Sequence, residues 1–113
     1  HLDDYFLYEI DENPIACVPL HHFANEQTGE LAHLFVNPSH ANQGIGLKLV
    51  QFIENHARHI GITRLITLST QSFAFFTNKA DFNEGNSSEL PPVRRDSYED
   101  QGRNSKILIK HLY

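Results

Sequence analysis

The chain has 113 residues, 40% of them hydrophobic and 11% aromatic, which suits one compact domain with a single core over residues 1–113. Its formal charge of −5 is unevenly spread: the first 47 residues carry seven acids and no Lys or Arg, while five of the nine basic residues lie between Arg94 and Lys110. A nucleic-acid binder would present a broad basic face, which this pattern lacks, whereas a small basic cluster suits a small anion. No apolar run approaches the roughly 20 residues that span a bilayer, and no signal-peptide pattern opens the chain. One cysteine, Cys17, cannot make an internal disulfide or a Cys-based zinc cluster, so a cytoplasmic place is expected. Within IACVPL it reads as a small buried hydrophobe. The chain starts without Met in strand-like sequence, as a segment of a longer protein would.

In chain order, YFLYEI, DENP and IACVPLHHF read as strand, tight turn and strand. A third strand, ELAHLFV, ends at Asn37-Pro38, where proline removes a donor and biases Asn37 away from helix. GIGLKLVQFIENHARHIG has Ile45, Leu49, Val50, Ile53, Ala57 and Ile60 on one helical face, with Gly61 as terminator. RLITLST is a β-branched strand, 73–79 a short helix, NEGNSSELPP an irregular polar stretch, and SKILIKHL an alternating final strand. Strand–helix–strand after the third strand implies a parallel pair with a right-handed crossover, and the first three strands should be antiparallel. The expected fold class is α/β (α+β): a mixed, mostly antiparallel central sheet flanked by helices.

Gly44 and Gly46 open the main helix directly after a strand and a loop. A helix start presents unpaired N–H groups and the positive end of its dipole, and removing Cβ at two positions lets a phosphate approach the backbone. A Gly-x-Gly pair alone is a weak signal, since glycines at helix starts are often purely structural. The dinucleotide pattern fails because Leu49 stands at its third glycine, and the triphosphate loop fails because no Gly-Lys-Ser/Thr follows.

The string AHLFVNPSHANQGIGLKLVQFIENHA resembles the core motif of the GNAT acetyltransferase superfamily. The resemblance implies acetyl-CoA as cosubstrate and no metal. It makes Leu34, Phe35 and Val36 the strand along the pantetheine arm, and Asn42, Gln43, Gly44, Ile45, Gly46 and Leu47 the loop that holds the diphosphate. Ala41 stands where that family usually carries Gln or Arg. GELAHLFVNP, GITRLITLST, ELPPVRRDSY and GRNSKILIKHL, in this order, are similar to the acetyltransferase domain of bacterial N-acetylglutamate synthases. That narrower likeness implies transfer of acetyl to the α-amino group of L-glutamate, the first step of arginine biosynthesis, by direct attack. It also implies a preceding arginine-binding, amino-acid-kinase-like domain. The first strand and first helices of a complete GNAT fold are then expected to be missing here.

Acetyl transfer to an ammonium needs a proton acceptor, donors for the developing oxyanion, and a proton for the leaving thiolate. The resemblance makes Glu30 the base and Ser69 the hydroxyl at the leaving sulfur; the plainer alternatives are a solvated strand-end acid and a cap of the next helix. It makes Arg103 and Ser105 carboxylate ligands of the substrate, and an arginine fork suits that task. His33, three residues from Glu30, is expected to contact substrate. Arg94 and Arg95 are further candidates, read first as surface charges of a polar loop. Many members of the family use a tyrosine where FFTNKADF places Thr77, which turns attention to Ser69. His56 and His59 share a helix face, but no acidic or cysteine partner completes a metal site, so surface histidines are the reading. Alternatives are another amine acceptor or a non-catalytic CoA-binding regulatory domain. Homo-oligomer formation stays open.

Overall fold

β1 (Leu2–Ile10) and β2 (Asn13–Phe23) pair antiparallel around Asp11-Glu12, both at positive φ (51° and 67°). Two such residues give the hairpin turn whose twist matches that of its strands. The computed structural model describes residues 2–69, 72–100 and 105–113. β2 passes through one 3-10 turn, Ala24–Glu26, into antiparallel β3 (Thr28–Leu31). Then follow β4 (Phe35–Val36), α1 (Ile45–His59), β5 (Arg64–Ser69), α2 (Phe73–Asn78), β6 (Asn83–Glu84), α3 (Pro92–Asp100) and β7 (Lys106–His111). The sheet runs β1-β2-β3-β5-β7-β6, with β4 also on β2. Among the described pairs β3–β5 alone is parallel, as the crossover through α1 requires.

The expected mixed sheet is therefore present, with three differences. ELAHLFV is not one strand but two, β3 and β4, joined by residues 32–34, which belong to neither strand. The stretch read as irregular holds β6 and a 3-10 turn, Ser87–Glu89, whose Asn86 and Glu89 form a capping box. After it comes α3, which starts on Pro92, where a missing N–H matters least.

Two cores lie on opposite faces. The larger packs Ile45, Leu49, Val50, Ile53 and Ala57 of α1 with Val18, Leu20, Leu31 and Leu65 of the sheet and Phe76 of α2. The smaller holds Ile66, Leu90, Ile107 and Ile109, with Leu68 and Tyr98 against it. Ile60 leaves the predicted face: it caps α1 and is exposed. Cys17 is half-buried rather than buried, between fully buried Ala16 and Val18. No helix among the described residues is long and apolar enough to cross a membrane.

Gly29 lets β3 lie tightly on the larger core, since a Cβ there would sit 2.9 Å from Leu20 Cδ1 and 3.0 Å from Ile62 Cδ1. Those methyls are themselves enclosed, so the added carbon has nowhere cheap to go. Gly29→Ala is expected to lower stability by about 1–3 kcal/mol, read as a lower urea midpoint. An unchanged midpoint would contradict this packing.

Candidate active site

Parallel pairing of β3 with β5 ends at Glu30–Ile66. Beyond it, three steps along β2, from Leu20 to Cys17, are matched by four from Leu31 to Phe35. This one-residue bulge bends the strand and keeps it on β2. Ala32 N–H donates to the Pro19 carbonyl (3.1 Å), and the Thr67 hydroxyl donates to the Leu31 carbonyl (2.9 Å). Meanwhile β5 continues along β7 as far as Ser69–Lys106. The two central strands part, and the sheet opens.

Cavities meet at this opening from both faces. On the α3 face, about 450 Å³ is bordered by His21, Glu30, His33, Arg94, Ser97 and Ser105, among others. On the α1 and α2 face, about 410 Å³ lies between the glycine loop and Phe75 of α2. A third volume, about 250 Å³, is bordered by Thr67 and Ser69. It shares Ala32, His33, Leu68 and Ser105 with the first cavity, and Leu34 and Ser72 with the second. The third volume thus lies beside the parted strands and adjoins the other two.

At the glycine corner, Gly44 caps α1 in the left-handed region (φ 78°), and Asn42 is also left-handed (φ 64°). The first helical bond runs from Lys48 N–H to the Gly44 carbonyl (3.1 Å), so the N–H groups of the first turn lack intrahelical partners. A Cβ on Gly46 would sit 3.4 Å from Phe75 Cζ, in van der Waals contact across the cleft that Gly46 borders. With no acidic residue in this turn, the corner is built for an anion. Of the nominated residues, Leu34, Val36, Asn42, Gly44, Ile45, Gly46 and Leu47 border the cleft. Phe35, between two of them, projects to the other face and is exposed; Gln43 is exposed and does not border it.

Glu30 is no solvated strand-end acid. It is 5% exposed, and Arg94 of α3 donates to its Oε1 through Nε at 2.8 Å. Arg94 borders the same cavity, so the pair sets a half-buried guanidinium against a buried carboxylate at its wall. Ser69 is buried and accepts from Ser72 N–H (2.8 Å) at the entry to α2, which leaves its own proton available. By register Ser69 lies three residues beyond Glu30's partner Ile66, about 10 Å along the strand, with odd spacing placing it on the other face. His33 is exposed and borders both adjoining cavities, as does Ser105, whose carbonyl accepts from Tyr98 Oη (3.1 Å). Arg103 lies outside the described residues. The Thr77 hydroxyl is turned back onto the Phe73 carbonyl (2.9 Å). His56 packs on Phe6 (centroids 5.2 Å apart), and among the described residues no group of three His, Cys, Asp or Glu side chains is placed to hold a metal.

Sequence reasoning put Arg94 and Arg95 together as surface charges, and the structure separates them. Arg94 turns to Glu30; Arg95 donates from Nε to the Ser87 carbonyl and from Nη2 to the Ser88 and Leu90 carbonyls, each at 3.1 Å. The available signal was Pro92 as a helix start. It was masked because α3 is too polar to show a period.

The model of the acetyltransferase (GNAT) family matches residues 1–82. The chain belongs to this family. An amino-acid acetyltransferase of Neisseria meningitidis is 38% identical over 113 residues, all of this chain and 26% of that protein. The N-acetylglutamate synthase of Neisseria gonorrhoeae, solved with coenzyme A and N-acetyl-glutamate, superposes with a TM-score of 0.90 at 38% identity, over 96% of this chain and 26% of that one. The chain thus spans about a quarter of the length of these relatives. PaiA N-acetyltransferase of Thermoplasma acidophilum, with a TM-score of 0.74 over 96% of this chain and 60% of that chain, shares the GNAT fold at 20% identity.

Arg95 holds the turn that seats α3, and hence Arg94, against the sheet. Arg95→Ala should release three carbonyls and lower stability by about 1–3 kcal/mol. Thermal unfolding reads this, and a melting point equal to wild type would show the fork to be dispensable.

Proposed function

We propose that this GNAT chain transfers acetyl from acetyl-CoA to the α-amino group of L-glutamate, by direct attack and without a covalent intermediate. What carries the reading is the opening between β3 and β5, with an anion-binding helix start on one face and the Glu30–Arg94 pair on the other. The likeness to a synthase solved with coenzyme A and N-acetyl-glutamate supports it over nearly the whole chain. Reactants entering from opposite faces meet only at the opening, which fixes their approach.

In this reading the carrier's phosphates rest on the first-turn N–H groups of α1, and its pantetheine arm follows residues 34–36 into the cavity bordered by Ser69. Glutamate enters from the α3 face, its carboxylates received by Arg94, Arg103 and Ser105, with His33 beside them. The Glu30 carboxylate takes a proton from the ammonium, directly or through a water. The amine lone pair then attacks the thioester carbon and the C–S bond breaks. The Ser69 hydroxyl hands its proton to the departing sulfur and is reprotonated through water by the second proton the nitrogen loses on becoming an amide, while the proton on Glu30 passes to solvent. Arg94 joins the predicted residues as a substrate ligand, because its fork lies where a carboxylate would enter and a second carboxylate, Glu30, already holds it. The single sheet supports one acetyltransferase unit, and a cytoplasmic place suits a reaction between such small metabolites.

Thiol release from acetyl-CoA should depend on L-glutamate and be much weaker with aspartate or glutamine. Release with a different amine alone would replace the substrate; CoA binding without turnover would leave a regulatory domain. Glu30→Gln should lower kcat about 10²–10⁴-fold, the range for losing a general base, with CoA affinity kept. A variant that turns over as wild type would remove Glu30 from the chemistry.

A further inference from the structure

Among the described residues, Arg58, Arg64, Arg94, Arg95, Lys106 and Lys110 all hydrogen-bond or ion-pair within the protein. Lys79 does not. It caps the end of α2, is exposed, and borders the cleft at the glycine corner. Ala41 borders the same cleft and brings no charge. No acidic side chain borders it among the described residues, although the chain carries 14 acids against nine Lys and Arg. In an acidic protein, a cleft bordered by a lysine and no acid, beside a helix start with no acid in its first turn, is a local positive field.

We infer that the Lys79 ammonium binds a phosphate of the thioester carrier across the cleft from the α1 N–H groups. This rests on reading the glycine corner as that carrier's site, and adds a residue on another element to it. The backbone donors fix where a phosphate sits. Lys79, a point charge on a flexible stem, neutralises it from the opposite wall and makes affinity depend on phosphate rather than on the pantetheine arm. It also puts back on α2 the charge that the loop lacks at Ala41.

Calorimetric titration of the purified protein with CoA, 3′-dephospho-CoA and pantetheine tests this on wild type, Lys79→Gln and Lys79→Arg. Lys79→Gln should weaken CoA about five- to tenfold, as for one charge-assisted contact near the surface, and leave pantetheine unaffected. Lys79→Arg should recover most of the loss, and added salt should narrow the gap between wild type and Lys79→Gln. Loss with CoA alone points to the 3′-phosphate, and equal loss with 3′-dephospho-CoA to the diphosphate. A lysine at a helix end also favours the helix dipole. A purely structural role would make Lys79→Gln lose CoA and pantetheine alike, with a lower melting point, and that overturns the inference. So does CoA affinity within twofold of wild type. If wild type itself fails to bind CoA, the reading of the corner is lost as well, which is a different result from a binding protein indifferent to Lys79.

Discussion

Everything at the site depends on how β3 leaves β5 without abandoning its own backbone. Buried N–H and C=O groups must find partners, so strands rarely part inside a sheet. Here the bulge lets β2 serve both halves of the broken strand, and the Thr67 hydroxyl donates to the Leu31 carbonyl at the point of separation. An opening that would otherwise strand polar groups is stabilised at its edge by one side chain and one extra residue.

Because cavities border the opening on both faces of the sheet, its two sides carry different chemistry. The α1 and α2 side is built on the larger apolar core, with a glycine corner and small hydroxyls near the gap. The α3 side carries the ion pair of Glu30 and Arg94 over the smaller core. Phosphates and carboxylates are both anions, and a site open on one face only would have to sort them in one field. Placing a helix start on one face and a guanidinium on the other separates them by geometry.

Elements with a clear signal were readable from the chain: α1 from its apolar face, β5 from its β-branched residues, β7 from alternation, the first turn from Asp11 and its neighbours. The glycine corner was readable too, since Gly44 at φ 78° is a conformation few other residues take easily. ELAHLFV hid its break because a bulge adds a residue without changing composition. α3 was illegible for a different reason: Val93 is exposed and Tyr98 half-buried, too little apolar contrast to mark a helical face. Arg94 depended on that helix, and its partner Glu30 lies 64 residues earlier in the chain. Only the sheet brings them together. Ile60 fitted the helical period but fell one residue past the end of α1, where the period no longer controls burial.

The aim of α1 is itself held from its far half. Lys110 of β7 donates through Nζ to Glu54 Oε2 (2.9 Å) and to the Ala80 carbonyl (3.0 Å), joining α1, the final strand and the end of α2. Arg58 Nε donates to the Leu112 carbonyl (3.1 Å), and Tyr113 Oη donates to the Arg58 carbonyl (3.2 Å). The helix is therefore tied to β7, the strand that draws β5 away from β3. Glu54 is 6% exposed, so its carboxylate is held by Lys110 rather than by water, and losing Lys110 would leave a buried charge. The contacts that hold the far half of α1 thus fall on the strand that β5 follows beyond its separation from β3.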